Sequence, residues 1–491
     1  MRVNSSFRSG PKAMKILFTH AYFLQFDPKQ VQHARPYPPL GTILAASYMR
    51  QQNYDVRLFD TMFVQNPDDI THSIENFKPD LLVIYDDGFN YLTKMCLSNM
   101  RDAAFRMQGL AKSSGCKIIV SSSDATDHFE KYLNAGADFV ILGEAEETLL
   151  ALVNSLNQNE SEFNHINGLA YFKNQSIVKT DKRAVMKSPD KLPLPAWDLI
   201  DIAPYKKVWI NNHGYLSLNI ATTRGCPYSC NWCAKPIYGN SYIMRSPENV
   251  VKEIKLLKQL FGPDHIWFCD DIFGLKRSWV SQFNALLNKE NLKIKYKIQS
   301  RADLLVQEKY VEDLAQSGCE EVWLGAESGS QKILDAMDKG TTVEEIKKAR
   351  QLLQSFGIKA CFFIQYGYPG ENANDIKKTI KLIKETTPDD IGISVSYPLP
   401  GTLFYDRVKS QLKEKTNWTD SDELALLFKN TYEPGFYKVL HRYTHAIFRK
   451  NKAIEKWRKK NGPAVKSMAA LSYIKQHIRA KYLATQLKNL D

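Results

Sequence analysis

Three cysteines, Cys226, Cys230 and Cys233, lie within Thr222-Thr223-Arg224-Gly225-Cys226-Pro227-Tyr228-Ser229-Cys230-Asn231-Trp232-Cys233. The spacing is C-x3-C-x2-C, with no fourth cysteine close by. Three thiolates on one tight loop hold three irons of a 4Fe–4S cluster and leave the fourth iron open. A closed structural zinc site normally takes four protein ligands. An open iron is what a cluster needs to act on a bound small molecule. The competing readings are an incidental cysteine cluster and a zinc site short of one ligand. Cys96, Cys116, Cys269, Cys319 and Cys361 fall in or beside apolar segments and read as core residues.

The elements that must position this loop show in the hydrophobic pattern. The chain has 491 residues, enough for two to four domains, with a composition typical of a globular protein. No run approaches the roughly 18 apolar residues of a membrane span. The N-terminus lacks an apolar signal region, and residues 1–14 read as a disordered tail. Eight cysteines without a framework spacing fit a reducing cytoplasm.

Residues 15–151 alternate strand and helix. Strands are expected at 15–19, 56–59, 81–85, 117–121 and 139–142, with helices at 40–51 and 124–135 among them. That alternation predicts an α/β, doubly wound Rossmann-like parallel sheet, whose ligands lie beyond the carboxyl ends of the strands. A connector is expected over 152–215, with a hairpin at 168–180 and a stiff proline-containing linker at 191–195.

A second alternating series follows over 216–401. Strands are expected at 216–223, 265–269, 295–299, 321–325, 360–365 and 392–396, with helices between them. Six such units predict a partial (β/α)6 TIM-like barrel with its active site at the C-terminal strand ends. The cysteine loop follows the first of these strands. Residues 402–491 read as a helical, basic region.

The loop and its barrel context resemble the radical SAM superfamily from 216 to about 405. By that resemblance the triad holds a 4Fe–4S cluster whose open iron binds S-adenosylmethionine, and Trp232 lies near the adenine. Asp270 or Asp271, in Cys269-Asp270-Asp271, takes the place of the family's Gly-Gly-Glu and would receive the methionine amino group. Ser300-Arg301 follows the third strand and is assigned to cofactor binding. Glu327 and Ser328, in Gly325-Ala326-Glu327-Ser328-Gly329, would contact the ribose or methionyl part. Lys339 would pair with the cofactor carboxylate. Gly367 and Gly370, in Gly367-Tyr368-Pro369-Gly370-Glu371, resemble the fifth-strand stretch beside the adenine. Each also has a local reading. Asp270 and Asp271 would cap a segment, Ser328 would N-cap the next helix, and the glycines would make a turn.

The first domain resembles the cobalamin-binding domain found before many radical SAM barrels. Pro38-Pro39-Leu40-Gly41, the strand near Pro79, and Asp138-Phe139-Val140-Ile141-Leu142-Gly143-Glu144-Ala145-Glu146 carry that likeness. Pro39, Gly41, Ser122, Gly143 and Glu144 are thereby assigned to cobalamin. The chain has Ser121-Ser122-Ser123-Asp124 where relatives often have Gly-Gly-Pro-His, and it lacks Asp-x-His-x-x-Gly. Cobalamin is therefore expected without a cobalt ligand from that motif, although His20 is nearby. The alternative is a degenerate domain that binds no cofactor.

The resemblance implies reductive cleavage of S-adenosylmethionine, hydrogen abstraction from an unactivated carbon and methyl transfer to it. The substrate class is a small molecule, anionic or lipid-like. An electron donor such as flavodoxin or ferredoxin is implied. Relatives also include radical cyclases and rearrangement enzymes such as the anaerobic tetrapyrrole cyclase type. Outside that class stands a cluster-bearing RNA- or membrane-associated protein without cobalamin chemistry.

The net charge of +13 is uneven: from Lys438 to Asp491 fourteen Lys and Arg face two acidic residues. The remainder is near neutral, which argues against a nucleic-acid surface. Phe436, Tyr437, Leu440, Tyr443, Thr444, Ile447, Ile454 and Trp457 recur at helical spacing among Arg442, Arg449, Lys450, Lys456, Arg458 and Lys459. That basic helix is expected either to meet anionic lipid or to be a solvated face packed on the barrel. His441 and His445 share a helix face without an evident third ligand.

Overall fold

The computed structural model describes residues 14–458 and 462–490. The tail expected over 1–14, apart from Met14, lies outside the described residues, as does Lys459. Two compact units divide between Val208 and Trp209.

In the first unit β1 (Lys15–Thr19), β2 (Asp55–Phe59), β3 (Leu81–Tyr85), β4 (Lys117–Ser121) and β5 (Phe139–Ile141) are parallel, in the order β2-β1-β3-β4-β5. Every residue of β3 is buried, as a strand covered by helices on both faces requires. α1 (Leu40–Gln51) contributes Ala45, Ala46 and Met49 to this core, and α3 (Glu146–Asn157) adds Leu149, Leu152 and Val153. α2 (Ser98–Ser113) packs on β4 and β3. The chain reverses direction across the sheet between β1 and β3, which makes a switch point there.

The hairpin in the expected connector, β6 (Leu169–Lys173) and β7 (Ser176–Lys179), pairs antiparallel onto β5 and completes this same sheet. Without it β5 would present an unpaired edge. The helix expected over 124–135 is two short ones, Ser123–Asp127 and Phe129–Asn134, broken at His128 (φ −129°, ψ 35°).

In the second unit β8 (Ser217–Ile220), β9 (His265–Phe268), β10 (Tyr296–Ser300), β11 (Cys319–Glu327), β12 (Lys359–Tyr366) and β13 (Asp390–Val395) are all parallel. They run in sequence order around an open barrel. α4 (Pro247–Leu260) starts at Ser246, whose hydroxyl accepts from Asn249 N–H, with Pro247 in the first turn. α5 is Gln331–Ala336. α6 (Val343–Ser355) and α7 (Ala373–Thr386) each open with a reciprocal capping box, Thr342 with Glu345 and Asn372 with Asp375.

α8 (Pro434–Arg458) packs on α7, β13 and α9 (Pro463–Lys488). Phe436, Tyr437, Leu440, Thr444 and Ile447 are buried, so most of the apolar face expected to meet lipid is used inside the protein. Among the described residues no helix is long and apolar enough to cross a membrane.

Candidate functional site: a cysteine loop at the barrel strand ends

The strand expected over 216–223 stops at Ile220 because Asp270 takes over the backbone beyond it. Its carboxylate accepts from Thr222 N–H and Thr223 N–H, each at 2.7 Å, and from the Thr222 hydroxyl at 2.6 Å. Burial pushes the Asp270 carboxyl up to about 6, against the pull of those hydrogen bonds. Residues Thr223–Arg224 then pair antiparallel with Ile243–Met244 and close the base of the cysteine loop. Gly225 has φ +77°, and a Cβ there would lie 2.3 Å from the Ser241 carbonyl oxygen. Only glycine fits.

Two side chains hold the loop's shape. Lys235 Nζ donates to the carbonyls of Cys226 (3.2 Å) and Tyr228, and to Asn240 Oδ1 (2.6 Å). Asn231 ties the loop to the rest of the barrel. Its N–H donates to Met337 O (3.1 Å) and its amide donates to Ala336 O (2.8 Å) and Asp338 Oδ2 (2.7 Å). Its amide oxygen accepts from Tyr368 Oη at 2.8 Å. Sequence reasoning missed Asn231; its place between Cys230 and Trp232 was the only signal.

Cations gather at Cys230. Arg301 Nη1 is 4.0 Å from its Sγ, and the guanidinium lies 3.6 Å over the Tyr228 ring. Lys339 Nζ bonds Glu327 Oε1 at 2.8 Å and sits 6.0 Å from the Trp232 ring. Burial alone would lower the pKa of Lys339, but Glu327 and Cys230 outweigh it and hold the ammonium above its ordinary value. At Cys226 burial dominates and raises the thiol, with Tyr228 N–H and Lys235 pulling the other way. The Trp232 indole N–H is buried without a partner among the described residues.

The register of β11 against β12 shifts between Gly325 and Glu327, and Glu327 takes φ +54°. A non-glycine residue held there is strained, as often at functional sites. Gly325 makes room for the ion pair: a Cβ would meet Lys339 Nζ at 2.5 Å and Glu327 Oε1 at 2.7 Å. Ser328 is not the N-cap of α5; that position is Ser330. The buried Ser328 hydroxyl instead accepts from Ser330 N–H and lies 3.1 Å from Thr379 Oγ1. Asp271 is exposed, and its charge acts on Cys226.

Gly367 and Gly370 have φ +76° and +84°. Gly367 N–H donates to Glu371 Oε2 at 2.7 Å, and Gly370 O accepts from Lys332 at 2.8 Å. Glu371, the last residue of the same stretch, is a buried acid that the glycine motif does not mark. Burial pushes its carboxyl up to about 8. Its second oxygen and the buried Tyr437 hydroxyl lack partners among the described residues. His441 and His445 meet edge to face, with ring centroids 4.6 Å apart.

In the first unit the expected residues gather at the strand ends but serve local contacts. Gly41 lets α1 approach the β3 loop, where Asp87 accepts from Leu40 and Gly41 N–H at 3.2 and 3.0 Å. Pro39 occupies the N-cap position of α1. Ser122 Oγ accepts from Ala125 N–H, Gly143 N–H donates to Thr126 Oγ1, and Glu144 accepts from Met186 N–H. His20 is buried and held by Asp60 (2.8 Å) and Thr61. A small cavity at the β3 and β4 ends is lined by Tyr22, Asp86, Arg101, Asp124 and Tyr132 among others. The Ser123 hydroxyl, at the start of the short helix after β4, is buried without a partner among the described residues.

Among the described residues no three His, Cys, Asp or Glu side chains converge on one metal ion. Three thiolates that each take a separate iron need no such convergence. Residues 220–383 match the family model described as the radical SAM superfamily. The chain carries a radical SAM domain. An uncharacterised methyltransferase of Pyrococcus horikoshii is 28% identical over 78% of this chain and 81% of its own length. The anaerobic magnesium-protoporphyrin IX monomethyl ester cyclase of Rubrivivax gelatinosus is 27% identical, over 82% and 71%. Among solved structures, the cobalamin-dependent S-adenosylmethionine radical enzyme OxsB, with aqua-cobalamin and S-adenosylmethionine bound, has a TM-score of 0.72 at 17% identity. That match covers 95% of this chain and 71% of OxsB, and it shows the shared fold. The chain is thus a radical SAM enzyme, with a Rossmann-like unit, a partial TIM-like barrel and a helical C-terminal region.

Proposed function

We propose that this radical SAM enzyme cleaves S-adenosylmethionine reductively at a 4Fe–4S cluster held by Cys226, Cys230 and Cys233, and C-methylates an unactivated carbon of a small molecule with the help of cobalamin. The observation that carries the reading is the cation-flanked cysteine loop at the carboxyl ends of a six-strand barrel. When bound, the cluster and cobalamin supply one-electron reduction and methyl-group carriage. The protein's residues bind and orient. Arg301 and Lys339 place positive charge beside Cys230. Trp232 offers its ring beside the loop and an open N–H. Asp270 is spent on Thr222 and Thr223, so Asp271 is the better candidate for the methionine amino group. Lys339, paired with Glu327, would meet the methionine carboxylate, and the Gly367–Gly370 turn would border the adenine.

For cobalamin the support is the switch point between β1 and β3, the small side chains of Gly41, Ser122, Ser123 and Gly143 at the strand ends, the open Ser123 hydroxyl and the likeness to OxsB. His20 is engaged by Asp60, in keeping with a corrin held without a histidine on cobalt. The substrate is a small molecule, reduction comes from a flavodoxin or ferredoxin, and the setting is a reducing cytoplasm.

The test is anaerobic reconstitution followed by assay for 5′-deoxyadenosine. The intact protein should form it and Cys230→Ala should not; equal turnover by the variant sinks the reading. Corrin absorbance after growth with cobalamin tests the first unit, and a corrin-free protein refutes that part. The likeness to the Rubrivivax cyclase favours a second reading, radical ring closure. Label from methyl-deuterated S-adenosylmethionine appears in product under methylation and is absent under cyclisation.

A further inference from the structure

α9 has two apolar faces. Ala469, Gln476, Ala480 and Leu483 are buried on one, within the pair that α9 forms with α8. On the other side Met468, Leu471, Ile474, Ile478 and Tyr482 are 63, 68, 54, 63 and 64% exposed. At 100° per residue these five fall within an arc of about 120° opposite the buried face. α8 buries most of its apolar residues, while α9 leaves a long stripe in solvent. Single exposed apolar residues need no explanation, but a continuous row of five large ones does.

The charges beside the stripe identify its occupant. From Pro463 to Lys488 the chain carries Lys466, Lys475, Arg479, Lys481 and Lys488 and no acidic residue. Lys475 and Arg479 fall along one margin of the arc and Lys481 along the other. A second copy of the chain, laid stripe to stripe, would bring five cations against five. A nucleic acid would satisfy the cations and leave the apolar row wet. An apolar strip edged by lysine and arginine matches the boundary between acyl chains and anionic headgroups. We propose that the exposed face of α9 is a peripheral docking surface for an anionic phospholipid bilayer. The inference is independent of the cofactor chemistry proposed above.

The test is flotation of the full-length, reconstituted protein with vesicles of phosphatidylcholine containing phosphatidylglycerol, beside vesicles of phosphatidylcholine alone. The protein should float with the anionic vesicles and not with the neutral ones, and added salt should release it. Leu471→Glu with Ile478→Glu should weaken binding about tenfold or more, and so should Lys475→Glu with Arg479→Glu. These positions are exposed, so helicity by circular dichroism and the thermal midpoint should not change. Absence of binding, equal binding to neutral vesicles, or binding unaffected by both double variants overturns the proposal. A dimer in solution that Leu471→Glu with Ile478→Glu dissolves, without vesicle binding, overturns it in favour of a second copy.

Discussion

A carbon added at Gly325 would sit 2.5 Å from Lys339 Nζ and 2.7 Å from Glu327 Oε1. The pair must then part, and the ammonium beside Cys230 moves. Gly325→Ala should therefore lower 5′-deoxyadenosine formation on the order of tenfold to a hundredfold. Cluster absorbance should stay near that of the parent. Glu371 gives a prediction in pH. Burial raises its carboxyl from 4.5 to about 8, so between those values the folded protein holds a proton that the unfolded chain releases. Its contribution is complete below about 4.5 and is lost as pH rises through about 8. Glu371→Gln keeps an acceptor for Gly367 N–H and removes the titration. The fall in Tm between those pH values should be shallower in the variant than in the parent.

At the scale of elements, the cysteine loop is held at its entry and at its middle. Asp270 accepts three hydrogen bonds at the end of β8, whereas Asp271 is exposed near Cys226. Asp270→Ala leaves buried donors unpaired and should destabilise the barrel by about 3 kcal/mol or more, with loss of cluster. Asp271→Asn should keep both cluster and stability and weaken S-adenosylmethionine binding, read by equilibrium dialysis. Equal loss of stability in the two variants would refute this division of roles. Asn231 joins the loop to the residues after α5 and to Tyr368. Asn231→Ala removes its side-chain bonds and should cost about 2–4 kcal/mol in denaturant unfolding.

At the scale of the whole molecule, two units with separate sheets and cores should unfold as two calorimetric transitions. Asn231→Ala should shift only one of them, the transition that also follows cluster loss. Much of this organisation was legible. Fully apolar runs such as Leu81–Tyr85 and helix caps such as Ser246-Pro247 are local signals, and they placed most elements within a few residues. The hairpin at Leu169–Lys179 was legible as a hairpin, but its union with β5 is a long-range pairing that local pattern does not encode. The expected N-cap at Ser328 lies two residues before the observed one, because the β11 bulge and Thr379 draw Ser328 inward.

Composition and spacing alone determined the cysteine triad, the two α/β series and the basic tail, because each is a property of neighbours along the chain. Tertiary structure decided which side chains reach the triad. Arg301 reaches Cys230 because parallel strands bring their carboxyl ends to one rim, and Lys339, beyond α5, is held there by Glu327 at the end of β11. It also spent Asp270 on backbone, closed His20 onto Asp60, and turned the apolar side of α8 inward while leaving that of α9 in solvent. Helical spacing marks an apolar face, but only packing determines whether another element covers it.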